Sequence, residues 1–140
     1  MTMNPDSIEA QEAEYLFIAD SQISNSGKGL YTRIKIYKGE IIAIYKGEII
    51  SNKEAAIREQ KGQDHYFMTL SDTKIIDAMH TESYAKYAND ALGLVKSEFT
   101  NNAQFVLEKK NMVTLIAKRN IPAESEIFCS YGKAYWKKHG

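Results

Sequence analysis

Apolar residues occur along the chain in short runs that turn-forming residues separate. Runs at residues 15–19 and 41–45, and an alternating pattern at residues 30–36, each predict a β-strand. Lys46-Gly47 separates the second of these runs from another at residues 48–51, a pattern that favours a β-hairpin. Short strands with frequent turns indicate a β-rich domain.

Helical signals are few, and the rest of the pattern adds mainly strands. Asn52 can cap a helix over residues 53–61 that Gly62 would end. The other predicted elements are strands at residues 66–70 and 74–78, a short helix that starts at residue 81 or 83 and ends by residue 89, a hairpin that pairs residues 102–108 with 112–117, and a short helix over residues 133–139. The pattern therefore predicts an α+β domain in which β-structure dominates.

Length and composition fit one domain that needs neither disulfides nor a structural metal. A chain of 140 residues can bury about two-thirds of its unfolded surface. The single cysteine, Cys129, excludes an internal disulfide framework and a multi-cysteine zinc site, and it is typical of a reducing compartment. Residues 1–14 are polar and acidic, so we expect a flexible N-terminal segment ahead of a domain over residues 15–140.

The charge balance removes the simplest case for a nucleic-acid-binding protein. Eighteen Lys and Arg residues offset eighteen Asp and Glu residues, and the formal net charge is zero. Binding to a phosphate backbone needs a basic face. No apolar run is long enough to cross a membrane. We therefore expect no direct contact with nucleic acid or membrane, and an intracellular location that is either cytoplasmic or nuclear.

Three stretches carry residues suited to ligand binding, and each also has a purely structural interpretation. Gly27-Lys28-Gly29-Leu30 lets the backbone approach a ligand closely, but a plain β-turn uses the same residues. Asn89-Asp90 offers polar side-chain and backbone groups, although a helix C-cap with an Asx turn would explain it equally. The aromatic-rich stretch from Ile127 to Trp136 can line a slot for a ligand or form a half-wet edge of the core.

Taken together and in this order, the stretches resemble the SET domain of protein lysine methyltransferases. The resemblance covers about residues 15–136. The family's opening Gly-x-Gly-Leu resembles Gly27 to Leu30, and its Glu-Tyr-x-Gly-Glu segment resembles Ile44-Tyr45-Lys46-Gly47-Glu48. Asp77-Ala78 and Asn101-Asn102, with the strand after it, resemble two further segments of the family. The segment Lys86-Tyr87-Ala88-Asn89-Asp90-Ala91 resembles the family's Arg-Phe-x-Asn-His-Ser. Residues 117–132 resemble the family's Ala-x-Arg-x-Ile-x-x-Gly-Glu-Glu-Leu-x-Phe-Asp-Tyr-Gly.

The resemblance implies a fold, a cofactor and a class of substrate. The fold is α+β and β-rich, with several small sheets and a C-terminal pseudoknot that would bring the Asn89 and Tyr131 stretches side by side. The cofactor is S-adenosyl-L-methionine. The partner is a protein or peptide that carries the target lysine, such as a histone tail. The oligomeric state stays open.

The resemblance also implies roles for individual residues. Tyr131 is the implied catalytic residue, because its hydroxyl would orient the lysine amine and the methyl group. The implied cofactor-binding residues are Lys28, Gly29, Leu30, Tyr66, Tyr87, Asn89, Asp90, Tyr131, Tyr135 and Trp136. The implied walls of the substrate-lysine channel are Tyr45, Phe105, Cys129, Tyr131 and Tyr135, and no metal is implied.

Three of the departures from the family pattern bear on function. Asp90 stands where the family usually has His, Ala91 where it has Ser or Cys, and Cys129 where a Phe or Tyr influences how many methyl groups are added. Two functions therefore have to be weighed: a protein-lysine N-methyltransferase, and a catalytically weak SET-like module that binds a peptide or partner. A third interpretation, an unrelated β-rich interaction domain, would require the whole series to be coincidental.

Overall fold

The structure is a computed structural model that describes residues 10–24, 26–92, 99–109, 111–130 and 135–136. In chain order its elements are α1 (Glu12–Tyr15), β1 (Leu16–Asp20), β2 (Lys28–Thr32), β3 (Ile41–Ile44), β4 (Glu48–Ser51), α2 (Asn52–Gln60), β5 (Phe67–Thr69), β6 (Lys74–Asp77), a 3-10 helix (Ala85–Tyr87), β7 (Ala103–Lys109), β8 (Met112–Ala117), β9 (Glu126–Ile127) and β10 (Tyr135–Trp136).

The strands form three small sheets, which confirms the predicted β-rich α+β class. One sheet has the order β1-β2-β9, another β10-β7-β8-β3, and the third β4-β6-β5. Every pairing is antiparallel except that of β10 with β7. β9 and β10 come last in the described chain, yet they pair with β2 and β7, so each adds an edge strand to a sheet built from earlier parts of the chain.

The three sheets enclose the main core of the described residues, to which each contributes apolar side chains. Leu30 and Ile127 come from the first sheet, Phe105 and Leu115 from the second, and Met68 from the third, and all five are at most 1 % exposed. Full burial of such side chains stabilises the fold by about 1.5–3 kcal/mol each. The core therefore fixes the relative positions of the sheets, and with them the segments that carry the candidate site.

The predicted hairpin at Lys46-Gly47 is wrong, because β3 and β4 belong to different sheets. β3 pairs with β8, whereas β4 pairs with β6. Gly47 lies so close to β6 that a Cβ atom on it would be 2.6 Å from the carbonyl oxygen of Asp77 and 2.6 Å from Cγ2 of Ile76. The glycine thus permits a close approach of two strands rather than a tight hairpin turn.

Other predicted elements are confirmed, some with shifted ends. The hairpin of β7 and β8 forms as predicted, and β5 pairs with β6. β2 begins earlier than predicted and ends at Thr32, after which only Ile36 forms a bridge, to Ile121. The C-terminal helix is wrong at Tyr135 and Trp136, which form a strand parallel to β7. The short helix before residue 89 is a single 3-10 turn.

Helix α2 forms where predicted but begins one residue early. Ser51 rather than Asn52 is its cap, and its hydroxyl accepts a hydrogen bond from the Glu54 amide at 3.1 Å. Arg58 joins the helix to the third sheet, since its guanidinium lies 2.9 Å from Glu48 and 2.8 Å from Asp77. The hydrogen bond to Arg58 lowers the pKa of the exposed Glu48 carboxyl.

Helix α1 covers the open edge of β3. Residues 12–14, predicted to belong to a flexible segment, form most of this helix. The Glu12 carboxylate accepts a hydrogen bond from the Ile44 amide at 3.2 Å, and the Tyr15 hydroxyl donates to the Ile42 carbonyl at 2.6 Å. In the part of the chain that the structure describes, no helix is long and apolar enough to cross a membrane.

Candidate active site

Three distant segments of the chain meet at the start of β2. The side-chain amide of Asn89 donates a hydrogen bond to the Lys28 carbonyl at 2.9 Å. The backbone carbonyl of Asn89 accepts a hydrogen bond from the Cys129 amide at 2.8 Å, and Asn89 forms a parallel bridge with Phe128. Asn89 therefore joins the glycine-marked segment near the start of the chain to the segment that leads to Tyr131, as the predicted pseudoknot requires.

Two consecutive asparagines brace this junction. The Asn101 side chain donates a hydrogen bond to the Asp90 carboxylate at 3.0 Å. The Asn102 side chain donates to the Glu126 carbonyl at 3.1 Å and accepts from the Phe128 amide at 2.8 Å. A side-chain amide can bridge two backbone groups in this way because it carries both a donor and an acceptor. The pair thus holds the Asp90 loop and β9 to the start of β7.

The start of β2 is open on one side. Gly27 has a φ of 65°, a left-handed conformation that favours glycine, and no atom outside its chain neighbours lies within 4 Å of where its Cβ would be. The Lys28 ammonium lies 2.7 Å from the Asp20 carboxylate and keeps the pKa of Asp20 below its usual value. Gly27 and Lys28 are themselves exposed, so this part of the backbone is accessible from solvent.

A buried carboxylate lies behind β2. The Glu126 side chain accepts hydrogen bonds from the Ser21 hydroxyl at 2.6 Å and from the backbone amide of Gln22 at 2.8 Å. The residue is 2 % exposed. A Cβ atom on Gly29 would lie 2.2 Å from Oε2 of Glu126, so glycine at this position makes room for the carboxylate. Burial, followed by the Glu126 charge, raises the pKa of Tyr31, whose hydroxyl lies 3.3 Å from Oε1.

Two predicted cofactor-binding tyrosines lie together around a lysine. The rings of Tyr66 and Tyr87 are 6.3 Å apart, and Nζ of Lys86 lies 4.9 Å and 5.4 Å from their respective centres. The ammonium also donates hydrogen bonds to the carbonyls of Ala78 and Thr81, both at 3.0 Å. Carbonyl oxygens and ring faces together satisfy the charge of Lys86, which is only 7 % exposed.

The described channel residues pack together in the core. The rings of Tyr45 and Phe105 meet edge to face, with centres 5.4 Å apart, and the Tyr45 hydroxyl donates to the Tyr66 carbonyl at 2.7 Å. Cys129 is fully buried. Burial raises the pKa of the Cys129 thiol to about 12, although a backbone hydrogen bond at Phe105 offsets part of this effect. The Cys129 thiol is therefore neutral and inert at physiological pH.

The remaining predicted site residues are described only in part. Tyr131 lies outside the described residues. Tyr135 and Trp136 are described as the backbone of β10, next to β7. Leu30 is fully buried and belongs to the core. Tyr131 therefore keeps the role that the resemblance implies, as a prediction.

A cavity of about 930 Å³ opens next to this region. Its walls come from α1, β3 and residues 79–87, and they include Lys86 and Tyr87. Of the predicted cofactor-binding residues that the structure describes, only Tyr87 lines it. Among the described residues, no cluster of three or more His, Cys, Asp or Glu side chains is placed to bind a metal ion.

Sequence reasoning gave no site role to four residues, although all of them lie in segments that resemble the family. Asn101, Asn102 and Glu126 hold the junction, whereas Lys86 holds the carbonyls of Ala78 and Thr81. Two signals pointed to the first three: a pair of asparagines just before a strand, and a glutamate next to the apolar run Ile127-Phe128-Cys129. An ionisable residue beside such a run is either exposed or held by specific partners. Only the fold shows that Glu126 is of the second kind.

Comparisons with known proteins identify the family and support the fold. The SET domain family matches residues 27–132. A search of curated proteins found no match. Among solved structures, the chain is similar to a humanized mutant of the Chaetomium thermophilum Polycomb Repressive Complex 2 bound to the inhibitor GSK126, with a TM-score of 0.72 and 26% sequence identity. That match covers 84% of this chain but 15% of the other chain. Because the family match spans most of its length, the chain belongs to the SET domain family.

Proposed function

We propose that this protein is a lysine N-methyltransferase that transfers a methyl group from S-adenosyl-L-methionine to a lysine side chain of a protein such as a histone. One observation carries the proposal. Asn89 forms hydrogen bonds with both the Lys28 carbonyl and the Cys129 amide. These contacts join the three segments to which the family resemblance assigns the cofactor and the reacting groups.

The described residues fit this cofactor in their chemistry. Adenosine and an amino-acid group offer donors, acceptors and a flat ring, which backbone amides, carbonyls and aromatic faces can bind. The space beside Gly27 leaves the backbone at Lys28 within reach of such a ligand. Tyr87, two residues before Asn89, and Tyr66 beside it supply aromatic faces. We propose that these residues, with the backbone of Gly29 and Asp90 and the covering residues Tyr135 and Trp136, hold the cofactor.

The reaction asks the protein mainly to position a neutral amine and exclude water. When bound, S-adenosyl-L-methionine supplies a methyl group activated by a positive sulfur. A lysine with a pKa near ~10.4 must lose its proton first, which costs roughly 4 kcal/mol near neutral pH. An apolar aromatic channel lowers that pKa, because it disfavours the charged form. Tyr45 and Phe105 are the described residues that we propose line this channel, and the Tyr131 hydroxyl is proposed to orient the amine.

The departure at Asp90 is compatible with this function. The Asp90 carboxylate accepts hydrogen bonds from the Leu92 amide at 2.9 Å and from Asn101 at 3.0 Å. The carboxylate therefore stabilises the Asp90 loop, and we propose that the backbone of Asp90 still contacts the cofactor.

The alternative, a catalytically weak module that binds a peptide or partner, also has support. Tyr45, Phe105 and Cys129 are each at most 4 % exposed, so these channel residues fill their own space in the core. A module that only binds a partner would not need to open that space. The two functions differ in one measurable property, since only the enzyme transfers a methyl group.

Binding of S-adenosyl-L-methionine, measured by titration calorimetry, tests the cofactor assignment. We expect the wild-type protein to bind it and Asn89→Ala to weaken binding by about tenfold, because a lost hydrogen bond that orders the site is worth about 1–1.5 kcal/mol. Asn120→Ala is the matched control, since Asn120 also holds a backbone group, the Lys38 amide at 2.9 Å, but on a remote loop. A wild-type protein that binds no cofactor would contradict the proposal.

A further inference from the structure

We infer that Glu126 is a positioning residue for the cofactor-binding backbone at Gly27 to Gly29. The inference rests on the proposed function and deepens it, because it concerns how that site is held in shape. Glu126 lies on β9, almost a hundred residues along the chain from Gly29, and its carboxylate reaches the turn that leads into β2.

The carboxylate gathers the donors of that turn. Oε2 accepts from the Ser21 hydroxyl at 2.6 Å, and Oε1 accepts from the backbone amide of Gln22 at 2.8 Å. The Ser21 hydroxyl in turn accepts from the Ile23 amide at 3.2 Å. A carboxylate offers about four acceptor sites, so it can satisfy several converging donors at once, which a neutral side chain of the same size cannot.

The same turn closes onto the glycine segment. The Ser21 amide donates to the Gly27 carbonyl at 2.8 Å. A continuous path of hydrogen bonds therefore runs from Glu126 through Ser21 to Gly27, and the next residue, Lys28, is the one whose carbonyl Asn89 holds. Fixing Ser21 fixes the direction in which the chain enters β2.

Direct packing adds a second restraint at Gly29. Its Cα lies against the Glu126 carboxylate so closely that a Cβ atom would be 2.2 Å from Oε2 and 2.9 Å from Cδ. The Glu126 carboxylate thus fills the position that a side chain on residue 29 would occupy. Moving Glu126, or adding a methyl group to Gly29, should displace the backbone that the cofactor would contact.

Three single variants test the hydrogen-bonding part of this role. Glu126→Ala removes every acceptor, Glu126→Gln keeps one carbonyl oxygen, and Thr114→Val is the control, because Thr114 is another buried polar residue, 2 % exposed, in the second sheet. Affinities for S-adenosyl-L-methionine and for S-adenosylhomocysteine are measured by calorimetry, with thermal unfolding recorded in parallel. We expect Glu126→Ala to lose about tenfold in affinity for both ligands, Glu126→Gln about threefold, and Thr114→Val none at all, despite a lower Tm.

A double-mutant cycle tests the packing part. Gly29→Ala alone should lose about tenfold or more in affinity, because the new methyl group collides with the carboxylate. In the double variant Gly29→Ala, Glu126→Ala the collision with the carboxylate is gone and the 3.3 Å contact with Cα of Ser21 remains, so the loss should stay near that of Glu126→Ala alone. A loss near a hundredfold, the product of the two single effects, would show independent sites and overturn the inference.

Kinetics on any protein substrate give a further readout. A residue that acts only on the cofactor-binding backbone should change KM for the cofactor by about tenfold and kcat by less than about threefold. Equal affinity of the wild-type protein and Glu126→Ala would overturn the positioning role and leave the proposed function standing. Failure of the wild-type protein to bind either ligand would overturn both. If Glu126→Ala fails to fold, Glu126→Gln and Gly29→Ala decide the matter.

Discussion

Replacing Gly47 by alanine should weaken the third sheet, because this glycine lets β4 lie directly against β6. The added methyl group would sit 2.6 Å from both the Asp77 carbonyl oxygen and Cγ2 of Ile76. Non-bonded carbon contacts are most favourable at about 3.5–4.0 Å, so the methyl group is about 1 Å too close to both atoms. One of these atoms belongs to the backbone, so a simple change of rotamer cannot relieve the collision.

Overpacking of this kind costs about 1–3 kcal/mol, and the lower chain entropy of alanine in the unfolded state returns about 0.5 kcal/mol. We therefore expect Gly47→Ala to reduce the free energy of unfolding by about 1–2 kcal/mol. With a urea m-value of about 1.5 kcal/mol/M, the unfolding midpoint should fall by about 1 M. The control is Lys46→Ala, an exposed neighbour, which should move the midpoint by less than about 0.3 M. An unchanged midpoint for Gly47→Ala would refute the claim that β4 and β6 lie too close at Gly47 to admit a side chain.

Two further predictions concern single residues. Glu124 has a φ of 66°, so Glu124→Gly should raise the free energy of unfolding by about 0.5 kcal/mol. The matched control is Asn111→Gly at a φ of 65°, which should gain less because asparagine tolerates this conformation. Equal gains in urea unfolding would count against backbone strain at Glu124. Burial raises the pKa of the Cys129 thiol from about 9 to about 12, so its contribution to stability is complete below pH 9 and is lost as the pH rises toward 12. Cys129→Ala should remove this loss of stability at alkaline pH. Rapid reaction of the native thiol with Ellman's reagent at pH 8 would contradict its burial.

Local patterns predicted the elements whose partners are close in sequence. The β7–β8 hairpin has its own turn, and its register follows from apolar residues such as Phe105 and Leu115, which face each other across it. The same kind of signal failed at Lys46-Gly47. An apolar run on each side of a glycine also fits two strands that separate into different sheets, and the deciding contact, with Asp77, lies about thirty residues away.

In the candidate site, too, some features could be predicted from the sequence, whereas contacts between distant residues could not. The resemblance to the family placed Asn89 near the glycine segment and near the end of the chain, and the hydrogen bonds of Asn89 to Lys28 and Cys129 agree with that placement. Nothing local indicated that the Glu126 carboxylate would turn toward Ser21. Residues that hold a site through long-range hydrogen bonds leave little pattern in the sequence, because their partners are brought together only by the folded topology.

Methyl transfer by the wild-type protein and by Tyr131→Phe tests the central claim most directly. The assay follows the labelled methyl group of S-adenosyl-L-methionine onto a panel of histones and cell-lysate proteins. We predict transfer to lysine by the wild-type protein, and a turnover at least about a hundredfold lower for Tyr131→Phe, because loss of a positioned hydroxyl removes orientation in the transition state. Calorimetry should find the cofactor affinity of the two proteins equal within about twofold, since the hydroxyl is proposed to act on the reacting groups. Tight cofactor binding without transfer to any protein, or equal turnover by both proteins, would contradict the account.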